Sequence, residues 1–232
     1  MFSDFKEYNK EVRRYMLKNV SRYFLRWKKS LRPGASSVKD EQPWITFNVI
    51  DFLNKNIKPT DKVFEFGGGG STLFFVKRAS EVVTVEHNKE WFNILSETLK
   101  NKKVNNWKGV FVPATKGDIV PNPEAANPEH YSSEDLPSKG FNYKEYVTVI
   151  DSYPNEYFDC VVVDGRSRPA CIVHSLPKLK KGGFLVLDNS DREYYLQKTD
   201  AFINNNFEVI IDTFGPSPYS KDFTKTSVWK KK

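Results

Sequence analysis

Apolar residues recur along this chain in two distinct rhythms. In residues 2–30, Phe2, Phe5, Tyr8, Val12, Tyr15, Met16, Val20, Tyr23, Phe24 and Trp27 return at three- and four-residue steps. That spacing predicts one amphipathic helix. Trp44 to Ile57 repeats the rhythm and predicts a second. Between these helices Pro33-Gly34, Ser36-Ser37 and a charge cluster predict a linker over residues 33–43. Short apolar runs then alternate with helical stretches. Strands are expected at Lys62–Phe66, Glu81–Val85, Trp107–Pro113, Phe158–Val163 and Phe184–Leu187. Helices are expected at Ser71–Arg78, Asn88–Lys102, Tyr143–Ser152, Cys171–Leu179 and Tyr194–Asn205, with Lys181-Gly182-Gly183 ending the fourth of them.

Strand alternating with helix implies a parallel sheet covered on both faces. Phe158–Val163 is apolar almost throughout, as a strand buried on both sides should be. Two further strands close the chain, Phe207–Thr213 and Thr224–Trp229. Only a short turn-rich segment with Pro216-Ser-Pro218 joins them, which permits an antiparallel hairpin but no helical crossover. The expected fold is therefore α/β and doubly wound: a mostly parallel seven-stranded sheet, a C-terminal antiparallel hairpin and an N-terminal amphipathic helix. Residues 116–142 break the pattern with Pro121, Pro123, Pro128, Pro137 and Gly140. A loop this long in a compact domain usually has a use, so it is read as an irregular insertion that could cover a substrate.

Length and charge refine the division. A chain of 232 residues suits one such domain, residues 44–232, with an added segment. Residues 1–32 hold ten Lys/Arg against three Asp/Glu and so carry the whole net charge of +7; the remainder balances, 26 against 26. The basic segment is thus a helical extension that packs on the domain or a second copy, or lies on an anionic membrane. Nucleic acid is a poor candidate partner, because a neutral domain offers no phosphate-tracking groove. No run of about 20 apolar residues predicts a membrane span, and the start of the chain lacks a secretory signal. The two cysteines, Cys160 and Cys171, lack metal-like spacing and read as buried thiols, so a cytoplasmic setting is expected, peripheral at a membrane if the helix binds one.

The chemistry concentrates at strand ends. Val63-Phe-Glu-Phe-Gly-Gly-Gly-Gly-Ser-Thr72 places four glycines between a strand and a helix, and the next strand delivers Glu86. Such a unit holds a nucleoside-containing ligand at the strand ends. Glu65 before the glycines would repel a pyrophosphate but suits a ligand with a cationic amino group. A dinucleotide fingerprint would also want glycine where Thr72 stands. A plain tight turn would explain the glycines, but not Glu65 and Glu86 together. The next strand ends bring Asp164, followed by Arg166 and Arg168, and then Asp188-Asn189. The two arginines either grip an acidic substrate or form structural ion pairs.

Glu65-x-Gly67-x-Gly69, the acid 21 residues after Glu65, Asp164 and the closing hairpin resemble the class I S-adenosylmethionine-dependent methyltransferases over residues 44–230. The resemblance implies a Rossmann-like fold and S-adenosylmethionine as methyl donor. It implies donor contacts from Glu65, Gly67, Gly68, Gly69, Ser71, Thr72, Glu86, His87 and Asp164. Glu65 would take the methionine amine, Glu86 the ribose hydroxyls, and residues 113–115 would lie beside the adenine. Asp164 with Asp188 and Asn189 is similar to the metal set of cation-dependent O-methyltransferases, closest to sugar-modifying ones, which implies Mg²⁺ or Mn²⁺. The alternative is that Asp164 touches only ligand and Asp188-Asn189 merely caps a helix. The lysine base of catechol-type relatives is replaced by Ser167, leaving Asp164 or His130 as the base, with Arg166 and Arg168 beside it. The function implied is O-methylation of a small or glycan-like acidic acceptor. Metal-free methylation of another small molecule or a protein stays open, as does a non-catalytic ligand-binding adaptor. His174, in an apolar helical run, is expected to pack rather than react.

Overall fold

The computed structural model describes residue 17, residues 20–117 and residues 120–232. The first fifteen or so positions of the expected N-terminal helix lie outside the described residues; its end, α1 (20–30), is helical. The chain continues through α2 (Ser37–Asp40), α3 (Phe47–Asn56), β1 (Lys62–Phe66), α4 (Gly70–Phe75), β2 (Glu81–Glu86), α5 (Lys89–Asn101) and β3 (Trp107–Phe111). Next come the two-residue strands β4 (Thr115–Lys116) and β5 (Phe141–Asn142), then α6 (Lys144–Thr148), β6 (Phe158–Val163), α7 (Arg168–Lys178) and β7 (Leu179–Leu187). The helix α8 (Asp200–Asn206) precedes the hairpin β8 (Phe207–Pro216) and β9 (Phe223–Lys231).

Seven strands form one sheet in the order β3-β2-β1-β6-β7-β9-β8, antiparallel only where β9 meets β7 and β8. The expected doubly wound sheet and closing hairpin are both present. Period-two alternation explains how the sheet is covered. Val161 and Val163 of β6 enter a core with Tyr146, Val147, Ile172 and Ile203 on one face. Cys160 and Val162 enter a second core with Tyr23, Ile50, Leu53 and Phe75 on the other. Both cysteines are free and fully buried, and burial pushes their thiols up, so neither is a ready nucleophile. Among the described residues no helix is long and apolar enough to cross a membrane.

Four expectations need correction. Lys181-Gly182-Gly183 does not end a helix but lies inside β7, where Gly182 takes φ +79 and the ladder with β6 shifts register. The helix expected at Tyr194–Asn205 is broken into a 3₁₀ turn (Glu193–Tyr195) and α8, because Tyr195 turns inward onto the core. The insertion is not structureless: β4 pairs antiparallel with β5, pinning its ends together, and two 3₁₀ turns lie between them. The linker is not loose. It forms α2, whose end places Glu41 against Lys77 and, at 2.6 Å, Lys102.

The basic extension packs on the domain at its described end. Tyr23 is 3% exposed and stacks on Phe47, while Arg26 pairs with Asp51 at 2.6 Å. Trp27 donates its indole N–H to the Ser220 carbonyl in the β8–β9 turn, at 2.7 Å. Phe24 and Leu25 stay exposed.

The linker also explains the fourth glycine. A methyl group on Gly70 would run into the carbonyl oxygens of Ser37 and Gln42, which are backbone and cannot swing aside. Gly70→Ala is therefore expected to cost about 2–3 kcal/mol, the scale of overpacking a tight contact. Urea unfolding would measure it, and a loss under about 0.5 kcal/mol would mean that α2 moves freely off α4.

Candidate active site

The parallel register brings the chemistry to one edge. Phe66 faces Val163 and Val163 faces Leu187, so the residues leaving β1, β6 and β7 lie side by side. A cavity of about 500 Å³ opens there, lined by Gly67, Gly68, Glu86, His87, Asn88, Glu90, Trp91, Ile94, Asp164, Gly165, Arg166 and Arg168. Its size suits a nucleoside-sized ligand. Gly67 turns the chain at φ +88, a region that side chains avoid, and its Cα side abuts Gly165. Trp91 donates to the Gly68 carbonyl at 2.6 Å and fixes the turn from above.

Glu86 is 4% exposed and already organised. Its Oε1 accepts from the backbone N–H groups of His87 and Asn88, each at 2.8 Å, and Oε2 from Gly68 at 3.2 Å. Burial opposes its charge, but the hydrogen bonds from His87, Asn88 and Gly68 outweigh it and hold the carboxyl below its ordinary value. A carboxylate oxygen accepts about two hydrogen bonds. Oε1 is full, whereas Oε2 keeps room for a hydroxyl donor.

Glu65 occupies a different place from the one expected. It is 0% exposed and lies beneath the turn, where Oε2 accepts from Thr84 at 2.9 Å. Ser71 and Thr72 flank it rather than the cavity, and Thr72 Oγ1 accepts from Gly69 N at 3.1 Å. Glu65, Gly69, Ser71 and Thr72 thus shape the turn from below, while Gly67, Gly68, Glu86, His87 and Asp164 line the cavity. Residues 113–115 do not line it; Thr115 begins β4. Burial pushes Glu65 up to about 7, tempered by hydrogen bonds from Ser71, Thr72 and Thr84. An acid raised in the fold stabilises below its unfolded value and loses that stabilisation as pH climbs through the folded one. Unfolding free energy should therefore fall between about pH 4.5 and 7, by up to about 3 kcal/mol, and Glu65→Gln should remove that slope. Denaturation at several pH values measures this, and identical slopes in both proteins would contradict it.

A second cavity, of about 440 Å³, lies on the far side of Asp164. Trp44, Asp188, Asn189, Asp191, Arg192 and the β8–β9 turn from Ser217 to Thr224 contribute its walls. Asp164 lines both cavities, and its side chain is 34% exposed. Three residues around the two cavities, Ser167, Asn189 and Tyr219, adopt positive φ without being glycine. Such strained positions cluster at functional sites.

Arg168 organises the junction. It is 7% exposed at the start of α7. Its Nε donates to the Gly165 carbonyl at 3.0 Å, Nη1 to the Asp188 carbonyl, and Nη2 to Asp164 Oδ1 at 3.0 Å. The Tyr195 ring lies under the guanidinium at 5.0 Å. Asp188 Oδ1 is taken by Thr226 at 2.7 Å. Burial raises both carboxyls, Asp164 further through the adjacent Asp188, and Arg168 pulls both back.

This geometry corrects three expectations. The metal set does not fit a divalent cation: the Arg168 guanidinium already pairs with Asp164 at 3.0 Å, and a dication beside it would be repelled. Among the described residues no cluster of three His, Cys, Asp or Glu side chains could hold a metal ion. The arginine grip on an acidic acceptor is spent internally, since Arg166 pairs with Asp135 of the insertion at 2.6 Å and Arg168 with Asp164. His130 stays inside the insertion, where Nδ1 accepts from Glu124 N at 3.0 Å, and lines neither cavity. His174 ties elements together, as its packing role implies, with Nδ1 at 2.8 Å from Asp151 and Nε2 at 3.2 Å from the Tyr131 hydroxyl.

Sequence reading missed Trp44, Trp91, Asp191, Arg192 and Thr226. Asp191-Arg192 follows Asp188-Asn189 directly, so the charged run after β7 was the available signal. The others arrive from distant segments and give none.

No family model and no curated protein matches the sequence. Solved structures do match the fold. A provisionally named O-methyltransferase from Klebsiella pneumoniae superposes with a TM-score of 0.58 at 14% identity, over 95% of this chain and 99% of that one. A provisionally named methyltransferase from Streptococcus mutans, in complex with SAH, gives 0.53 at 12% identity, over 78% and 94%. A precorrin 8w decarboxylase from Methanobacterium thermoautotrophicum gives 0.50 at 15%, over 83% and 94%. The chain has the Rossmann-like fold of class I methyltransferases. The decarboxylase warns that the fold alone does not fix the reaction.

Proposed function

We propose that the chain transfers a methyl group from S-adenosylmethionine in the first cavity to a hydroxyl of an acceptor in the second. The carrying observation is that one partly exposed carboxylate, Asp164, lines both cavities. The donor fits the residues present. Glu86 Oε2 offers the ribose an acceptor, Gly67 and Gly68 let a ligand approach the backbone, and Glu90 offers a carboxylate to an amine. When bound, the donor supplies an electrophilic methyl on a sulfonium, so no strong nucleophile is needed.

The remaining work belongs to the chain. Walls on both sides of Asp164 hold donor and acceptor in line, which removes the entropic cost of bringing them together. Asp164 would accept the proton that the acceptor hydroxyl gives up when its oxygen takes the methyl. Its raised proton affinity suits that task, and Arg168 opposes the rise and directs the carboxyl.

An extended, glycan-like acceptor is supported by the shape beyond. Asp191 also lines a neighbouring hollow of about 800 Å³ that includes Ser190, Tyr194 and Gln197. Hydroxyls, an amide and an aromatic face suit a polyhydroxylated ligand. The test is conversion of S-adenosylmethionine to S-adenosylhomocysteine with pools of hydroxylated acceptors. Acceptor-dependent turnover is expected. Tight donor binding without turnover on any pool would reduce the chain to a ligand-binding module.

A further inference from the structure

We infer that the Arg168 guanidinium takes the place that a divalent cation would need between the ends of β6 and β7, so that the Asp164 carboxylate and the Asp188 backbone are bridged by a side chain. For its catalytic consequence this rests on the reading of Asp164 as the transfer point. The cation claim itself stands on the geometry.

Two neighbouring strand ends carry carboxylates, with Asp188 N donating to the Val163 carbonyl at 3.2 Å. Leaving both charged and buried without a counter-charge is costly. A bound Mg²⁺ would answer that with oxygen ligands in a near-octahedral shell. Here Oδ1 of each carboxylate already has a protein partner, and the cation beside Asp164 is a guanidinium. Arg168 bonds Asp164 through both Oδ1 at 3.0 Å and the backbone carbonyl at 3.3 Å, and also holds the Asp188 carbonyl. Thr226 holds Asp188 Oδ1, and Asn189 faces Thr224. The guanidinium sits on the Tyr195 ring and donates to Gly165, so it is fixed on several sides. A guanidinium stays charged at any working pH and spans acceptors with a rigid fork, which lets one group bridge two strand ends. A dication placed within a few ångströms of it would meet strong repulsion. Arg168 is accordingly a positioning residue: it sets the charge and direction of Asp164 without touching the reacting atoms. Asp164 and Arg168 flank the short loop that leads from β6 into α7, so the bridge is built from a local segment.

Mn²⁺ binding, followed by electron paramagnetic resonance on the full chain with S-adenosylhomocysteine present, tests the inference. Wild type should show no stoichiometric Mn²⁺ site below roughly millimolar concentration. Arg168→Ala removes the blocking charge and should gain Mn²⁺ affinity by about tenfold or more. Adding Asp188→Asn to that variant should erase the gain. Arg168→Lys keeps a cation and should stay as silent as wild type. Stoichiometric Mn²⁺ uptake by wild type that Asp188→Asn abolishes would overturn the inference, as would a folded Arg168→Ala protein with no gain. If Arg168→Ala does not fold, wild type and Arg168→Lys decide, and binding by either overturns it. Calorimetry of S-adenosylhomocysteine on the same wild-type sample separates the two readings: absent donor binding would strike the methyl-transfer proposal and leave the Mn²⁺ result standing.

Discussion

Glu86→Ala should weaken S-adenosylhomocysteine binding by about 100-fold, measured by calorimetry near neutral pH. Two effects combine. The ribose loses its charged acceptor, and hydrogen bonds to charged groups contribute about 1.5–3 kcal/mol each. In addition, the N–H groups of Gly68, His87 and Asn88 lose the oxygens that they now share. That frees the turn which forms the cavity floor. About 3 kcal/mol is a factor of roughly 100 in affinity. Glu86→Gln should fall between, because one carbonyl oxygen can still serve His87 and Asn88 while its amide faces the Gly68 N–H. Affinity within about threefold of wild type in the alanine variant would mean that the ribose is held elsewhere.

Asp164→Asn should lower turnover by about 10²–10⁴, the usual worth of a positioned general base. The change is nearly isosteric, so Arg168 keeps a partner oxygen and the strand ends stay in register. Binding of S-adenosylhomocysteine should change far less than turnover, which separates a role in proton transfer from one in donor affinity. The pH profile adds an independent readout. Burial and the adjacent Asp188 raise Asp164, and a base works only when ionised. Wild-type turnover should therefore climb with pH over a range above that of ordinary carboxylates and then level off, and the residual turnover of Asp164→Asn should lack that limb. Turnover in Asp164→Asn equal to wild type would remove Asp164 from the chemistry.

The sheet was legible because its strands are extreme. β1, β2 and β6 are mostly apolar, and β2 ends at Glu86 while β6 leads into Asp164, so period and boundary agree. Errors arose where tertiary contacts overrode local pattern. Lys181-Gly182-Gly183 reads as a helix stop, yet continues a strand because β6 supplies a partner for it. The stretch after Tyr194 has helical spacing, yet breaks because Tyr195 is drawn into the core and under Arg168. The donor cavity was half legible. Glu86 stands at a strand end where a carboxylate must face the cavity, but nothing local revealed that Glu65 points to the opposite side of its strand and hydrogen-bonds Thr84. The acceptor cavity was almost illegible, since Trp44, Asp191 and the turn from Ser217 to Thr224 meet only after the sheet forms. The ion pair of Arg168 was one of the two readings open in the sequence, and its partner was the part not named. Its four-residue spacing from Asp164 was present in the sequence, and it changes the reading of the strand-end acids from metal ligands to partners of a guanidinium.

A crystal structure of the chain soaked with S-adenosylhomocysteine tests the central claim most directly. The account predicts density in the cavity lined by Gly67, Gly68 and Glu86, with the ribose hydroxyls on Glu86 and the sulfur directed at Asp164 toward the second cavity. Ligand bound in another cavity, or in this one with its sulfur turned away from Asp164, would contradict it.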